Sequence, residues 1–133
     1  MKKRILVVDD ELDVRTFVST LLETNGYRPI TAENGVEALK KIRENKPDAV
    51  VMDIMMPQES GVLLYRDLKT DEHLKNIPVI VVSAVAQKTF NHSQKMLDTY
   101  QGTVLPPPDV YIEKPVESDE LLQTLKGFFE PKP

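Results

Sequence analysis

The stretch Ile5-Leu6-Val7-Val8-Asp9-Asp10-Glu11 (ILVVDDE, residues 5–11) decides how this chain is read. Four apolar residues in succession, mostly β-branched, describe a strand buried on both faces. Two carboxylates follow at once. Adjacent anions at the end of a buried strand repel one another, and a pair ~5 Å apart does so by roughly 3 kcal/mol at an effective dielectric of 20. Something must compensate that charge.

The same kind of strand recurs along the chain. AVVM (49–52) and VIVV (79–82) are near-continuous and apolar, YRPITA (27–32) is weaker with a Pro29 suited to a sheet edge, and VYI (110–112) is the last candidate. Helical spacing fills the intervals. Val14, Phe17, Val18, Leu21 and Leu22 form one stripe, with Gly26 at its C-terminal stop. Val36, Leu39 and Ile42 mark a second helix ending before Pro47, and Gly61, Leu64, Tyr65 and Leu68 a third. Ser118 is placed to cap a last helix through Leu121, Leu122, Leu125 and Phe129, with Asp119 and Glu120 in its first turn. The segment Val85–Asp109 is irregular. A thin stripe permits a helix around Thr89–Gln101, and Pro106-Pro107-Pro108 then imposes a stiff, extended connection. Strand–helix alternation repeated five times with short links implies an α/β fold: an open parallel sheet with helices on both faces.

Composition bounds the function. The chain has 133 residues, 41% hydrophobic and 29% charged, which fits one globular domain (residues 1–133, core about 3–129). Residues 130–133 read as a tail or the start of a linker. The net charge of −4 argues against non-specific nucleic-acid binding, and no basic recognition helix follows the last helix. No cysteine is present, so disulfides and thiolate metal sites are excluded and a cytoplasmic setting is expected. No apolar run is long enough to span a bilayer.

In a doubly wound sheet, ligands gather at the carboxyl ends of strands where the strand order reverses. Asp9 and Asp10 end the first strand and Asp53 ends the third. Should those strands be neighbours, three carboxylates converge, and a hard divalent cation, Mg2+ foremost, offsets their repulsion. Singly, each residue has a plainer reading: Asp10 as a helix cap, Asp53 as a turn residue, Ser83 as a cap, Lys114-Pro115 as a strand terminator. Jointly, Asp9, Asp10, Asp53, Ser83 and Lys114 provide acids, a hydroxyl and an ammonium at one end of the sheet, the groups needed around a nucleophilic carboxylate and a phosphoryl group. His73, in the polar stretch TDEHLKN, and His92 read as surface residues, since nothing nearby completes a ligand set.

The motifs ILVVDDE, TAENGVEALKKI, PDAVVMDIMMPQESGVLLYRDLK, IPVIVVSA and YIEKPVESDELL resemble the receiver domain of two-component response regulators. The resemblance covers nearly everything except residues 85–109. It implies a flavodoxin-like (βα)5 fold with a five-stranded parallel sheet in the order 2-1-3-4-5. Asp53 would be the phosphoacceptor, taking a phosphoryl group from a phosphohistidine on a sensor histidine kinase or phosphotransfer protein. Asp10, Asp53 and the Met55 backbone carbonyl would ligate Mg2+, with Asp9 acting through water. Lys114 and Ser83 would hold phosphoryl oxygens, Tyr111 would turn inward as the switch, and Pro115 would follow a cis peptide bond. The output would pass to a downstream protein through the fourth helix, fifth strand and fifth helix, with the domain a monomer or a dimer formed on phosphorylation.

Two competing functions are weaker. A magnesium-dependent phosphatase of the haloacid-dehalogenase type requires a second Asp two residues past the nucleophile, where Met55 stands. A receiver-like interaction module without phosphorylation would have no need of the full polar set. Departures from the family pattern lie mainly between Ser83 and Lys114, which is longer than usual and carries GTVLPPPD before the last strand. Apolar Met55 and Val85 beside the site lead us to expect hindered attack by water and a long-lived phosphoryl group.

Overall fold

The computed structural model describes residues 2–89 and 106–130. Five strands, β1 (Arg4–Val8), β2 (Arg28–Ala32), β3 (Ala49–Met52), β4 (Val79–Ser83) and β5 (Val110–Glu113), form one sheet. Helices α1 (Leu12–Thr24), α2 (Gly35–Glu44) and α3 (Ser60–Thr70) alternate with them, a 3-10 turn (Pro57–Glu59) leads into α3, and a C-terminal helix spans Ser118–Phe129. All pairings are parallel, in the order β2-β1-β3-β4-β5. The expected flavodoxin-like topology is therefore present, and the order reverses between β1 and β3. Most of the helix expected around Thr89–Gln101, together with His92, lies outside the described residues.

Alternation along the strands sorts the core into two layers. Leu6, Val8, Val50, Met52, Val79 and Val81 face α2 and α3, where they meet Ala38, Ile42, Leu64, Tyr65 and Leu68. Ile5, Val7, Ala49, Val51, Ile80, Val82 and Ile112 face the opposite way, onto Val18, Leu22, Leu121 and Leu125. Both faces of the central strands are dry, which is why their sequences run apolar without alternation. Pro29 sits on the edge strand β2, where its missing N–H costs no ladder bond on the open side.

Three local expectations are corrected. Phe17 and Val36, read as parts of buried stripes, are 46% and 79% exposed. In α2 the residue that presses inward is Gly35, whose Cβ position lies only 2.2 Å from the Ser60 carbonyl oxygen; Val36, about 100° further round the helix, is turned to solvent. Ser118 is the first residue of the C-terminal helix, and the N-cap is Glu117, without a side-chain cap bond. A side-chain cap does form on α2, where Asn34 Oδ1 accepts the Glu37 N–H at 2.8 Å. Gly26 ends α1 with φ +88°, a conformation open to glycine at little cost. Among the described residues no helix is long and apolar enough to cross a membrane.

Candidate functional site

Backbone pairing brings the acids together. The Asp53 N–H donates to the Val8 carbonyl at 2.9 Å, so the residue after β3 lies beside the residue after β1. The Lys114 N–H donates to the Ser83 carbonyl at 2.8 Å and docks the end of β5 on the end of β4. Asp9, Asp53, Ser83 and Lys114 thus meet at the carboxyl edge of the sheet.

The two buried acids are held in the same way. Asp9 Oδ1 accepts the Glu11 N–H at 2.9 Å, and Asp53 Oδ1 accepts the Met55 N–H at 2.9 Å. Their second oxygens share one ammonium: Lys114 Nζ lies 3.1 Å from Asp9 Oδ2 and 3.0 Å from Asp53 Oδ2. The charge question posed by the sequence is answered in part here. Asp9 is buried whereas Asp10 is exposed, so the adjacent acids do not share one environment, and Lys114 offsets the buried negative charge. Nor does Asp10 cap α1: its N-cap is Glu11, with no side-chain cap bond, and the acid that takes up a loop N–H is Asp9.

Burial, the largest effect, raises the Asp9 pKa above its ordinary value and Asp53 adds repulsion, against lowering by the Glu11 N–H and Lys114. For Lys114, burial disfavours the charge, but hydrogen bonds and attraction from Asp53 and Asp9 together outweigh it and raise its pKa. The ammonium therefore stays charged at neutral pH. Asp9 is further fixed from α1, since Arg15 Nη1 donates to its backbone carbonyl at 2.7 Å.

Carboxylate oxygens of Asp9, Asp10, Glu11 and Asp53 all lie within 4.8 Å of one another. Hard oxygen donors so grouped fit magnesium. Glu11 was quoted in the opening motif without a role, yet its Oε1 also approaches Lys114 Nζ to 3.7 Å. The signal was its adjacency to the acid pair; the turn that folds it back is a tertiary fact. Gly61 was read only as part of a helical stripe. A Cβ there would stand 2.4 Å from the Ile54 carbonyl oxygen and 2.7 Å from that of Asp53, so α3 rests directly on the backbone that carries Asp53.

Ser83 is fully buried, and its Oγ accepts the Val85 N–H at 3.2 Å. Tyr111 is half-buried, packed with Val85 against the α2–α3 layer, and its hydroxyl donates to the Val85 carbonyl. Burial, more than any other cause, raises the Tyr111 pKa. The Lys114–Pro115 peptide bond is cis. Met55 stands 62% exposed at the mouth of the site, whereas Val85 turns toward the core. Beside Lys114 a groove of ≈ 530 Å³ is lined by Asp13, Val14, Phe17, Lys114, Pro115 and Val116. His73 is exposed.

Comparison with known proteins agrees with this fold. The sequence pattern of the response regulator receiver domain matches residues 5–126. The polar-differentiation response regulator DivK of Brucella anthropi is 36% identical over 129 residues, covering 96% of this chain and 97% of that protein. Response regulator TrrA of Thermotoga maritima, solved in complex with Mg2+ and BeF, is 34% identical with a TM-score of 0.76, covering 97% of this chain and 100% of that one. The chemotaxis response regulator CheY4 of Vibrio cholerae shares the fold at 24% identity, with a TM-score of 0.80 over 97% of this chain and 100% of that one.

Proposed function

This chain belongs to the response regulator receiver family, signalling domains of two-component systems, and on that basis we propose that Asp53 is its phosphoacceptor. The observation that carries the reading is the Lys114 ammonium bridging Asp53 and Asp9 at the one place where the acids of β1 and β3 meet. A carboxylate oxygen of Asp53 attacks phosphorus on a phosphohistidine, the new O–P bond forms as the N–P bond breaks, and the imidazole nitrogen keeps the electron pair. Little covalent chemistry falls to the protein; orientation and charge compensation carry the reaction. Lys114 holds one Asp53 oxygen and the Met55 N–H holds the other, so the carboxylate is aimed before a donor arrives.

Magnesium would be held by Asp10, Asp53 and the Met55 backbone carbonyl, with Asp9 through water, and it supplies neutralisation of phosphoryl charge when bound. Glu11 adds a further carboxylate to that set. Lys114 and Ser83 receive phosphoryl oxygens after transfer, and Tyr111 responds to the movement of Ser83. The donor is a histidine kinase or phosphotransfer protein, and the apolar groove formed by Val14, Phe17, Pro115 and Val116 gives it a ledge next to Lys114. The receiving partner is a downstream protein, in the cytoplasm, and any loss of the phosphoryl group by hydrolysis serves as timing.

The test is intact mass after incubation with a small acyl phosphate and magnesium. Wild type gains one phosphoryl group and Asp53→Asn gains none; modification of both proteins, or of neither, refutes the assignment.

A further inference from the structure

Helices α2 and α3 cover the face of the sheet that carries Leu6 and Val8. Their first turns touch, since a Cβ on Gly35 would stand 2.2 Å from the Ser60 carbonyl oxygen. At the far end Arg43 of α2 pairs with Asp71, just past α3, at 3.5 Å. The two helices therefore run side by side in the same direction, with their starts level. Between them lies an open groove of ≈ 570 Å³, with Val36, Leu39, Lys40 and Arg43 on the α2 edge and Leu63 and Asp67 on the α3 edge. Val36 and Leu63 are 79% and 41% exposed, and Leu39 is half-buried. Counted from the touching starts at about 1.5 Å per residue, Val36, Leu63 and Leu39 come first along the groove, and Lys40, Asp67 and Arg43 follow. The charges are sorted by edge, cations on α2 and the acid on α3. Among the described residues neither Lys40 nor Asp67 joins an ion pair.

We propose that this groove is the contact face of a homodimer, with a second copy of the chain as its occupant. A twofold axis parallel to the helices lays α2 of one protomer over α3 of the other and keeps their levels matched. Leu63 of one protomer then packs between Val36 and Leu39 of its partner, and Asp67 falls between Lys40 and Arg43. Each contact occurs twice. A partner carrying a single sign of charge would match one edge of the groove and oppose the other, whereas the chain itself offers both signs in reciprocal order. The helices are short, 10 and 11 residues, so the interface belongs to the small, weak class, with a Kd on the order of 100 µM. Val14, Phe17 and Val116, beside Lys114, lie on the opposite side of the sheet, so a phosphoryl donor keeps its access in the dimer. The inference makes no use of the assignment of Asp53.

The experiment is sedimentation equilibrium of the full chain from about 10 µM to about 1 mM, without a phosphoryl donor. Wild type should pass from monomer to dimer across that range. Lys40→Glu sets acid against acid at both copies of the contact, and Asp67→Lys sets ammonium against ammonium. Each variant alone should dimerise about tenfold more weakly. An equimolar mixture of the two should recover wild-type affinity, because both contacts across the twofold then join opposite charges. An effect confined within one chain is not rescued by mixing. Leu63→Ser, which alters no charge, should weaken the dimer by about tenfold as well. A wild type still monomeric at about 1 mM overturns the second copy as occupant. A dimer that neither Lys40→Glu nor Leu63→Ser weakens overturns the choice of face, and a mixture no tighter than its components overturns the twofold pairing. Should Asp67→Lys fail to fold, Lys40→Glu and Leu63→Ser still decide whether this face is the contact.

Discussion

Two lysine–carboxylate pairs in this molecule have the same length and opposite significance. Lys114 lies 3.0 Å from Asp53 at the carboxyl edge of the sheet, and Lys41 lies 3.0 Å from Glu37 on the surface of α2. The side chains of the first pair are 14% and 5% exposed, those of the second 37% and 36%. In water an i,i+4 helix pair stabilises by about 0.3–0.5 kcal/mol, because solvent and salt screen it. A buried pair is different. Its formation is offset by desolvation of both ions, but removing one partner leaves an uncompensated charge out of water. Lys114 compensates two acids, Asp9 and Asp53, so its loss strands both. Distance does not rank the pairs; solvent access does. The buried set fixes two acids at the carboxyl edge of the sheet, and the exposed one helps to fasten α2, where Lys41 also donates to the Thr31 carbonyl of β2.

The contrast can be broken experimentally, most sharply at Lys114. Lys114→Met should destabilise the fold by about 3–5 kcal/mol in urea unfolding at neutral pH, and added magnesium should recover part of that loss. A loss no larger than that of Lys41→Met would remove the distinction drawn here. Gly61→Ala comes next. Its Cβ would meet backbone atoms of Asp53 and Ile54, so we expect roughly 1–3 kcal/mol of destabilisation together with slower modification of Asp53. Normal modification kinetics in that variant would show that α3 does not position the carboxylate. Met55→Asn replaces exposed apolar bulk at the mouth and should speed phosphoryl loss by roughly threefold, less than 1 kcal/mol of barrier. Unchanged or slower decay would count against hindered attack by water.

Glu37→Gln marks the small end of the scale, with about 0.5 kcal/mol or less at neutral pH. Its pH dependence has a definite sign. The Lys41 hydrogen bond is the main cause holding the Glu37 carboxyl below its ordinary value of 4.5. The folded chain therefore binds that proton less readily than the unfolded one. The contribution is complete above 4.5 and fades as the pH falls through the lower, folded value, so the variant should show a slightly flatter acid limb. A steeper limb would contradict the assignment of that shift to the pair.

Fold and site differed in how far they were legible. Near-continuous apolar runs could belong only to strands covered on both faces, and the helical stripes between them left one class of architecture. The stripes were less reliable at their margins, where Phe17 and Val36 satisfy the spacing and yet are 46% and 79% exposed. Glu11 and Arg15 escaped notice because each acts through a backbone group or a neighbour's ion pair, and no residue pattern encodes such a partner.

What the sequence by itself determined is the alternation of strand and helix, and the presence of Asp9, Asp10, Asp53, Ser83 and Lys114 at strand ends. Periodicity and local residue chemistry are properties of neighbours along the chain. Only the tertiary structure decided that Asp9 is buried while Asp10 meets solvent, and that a single ammonium serves two acids. Those outcomes depend on which strands become neighbours and on how much water each group keeps. Strand order and desolvation are set by the whole packed sheet, so no single segment carries them.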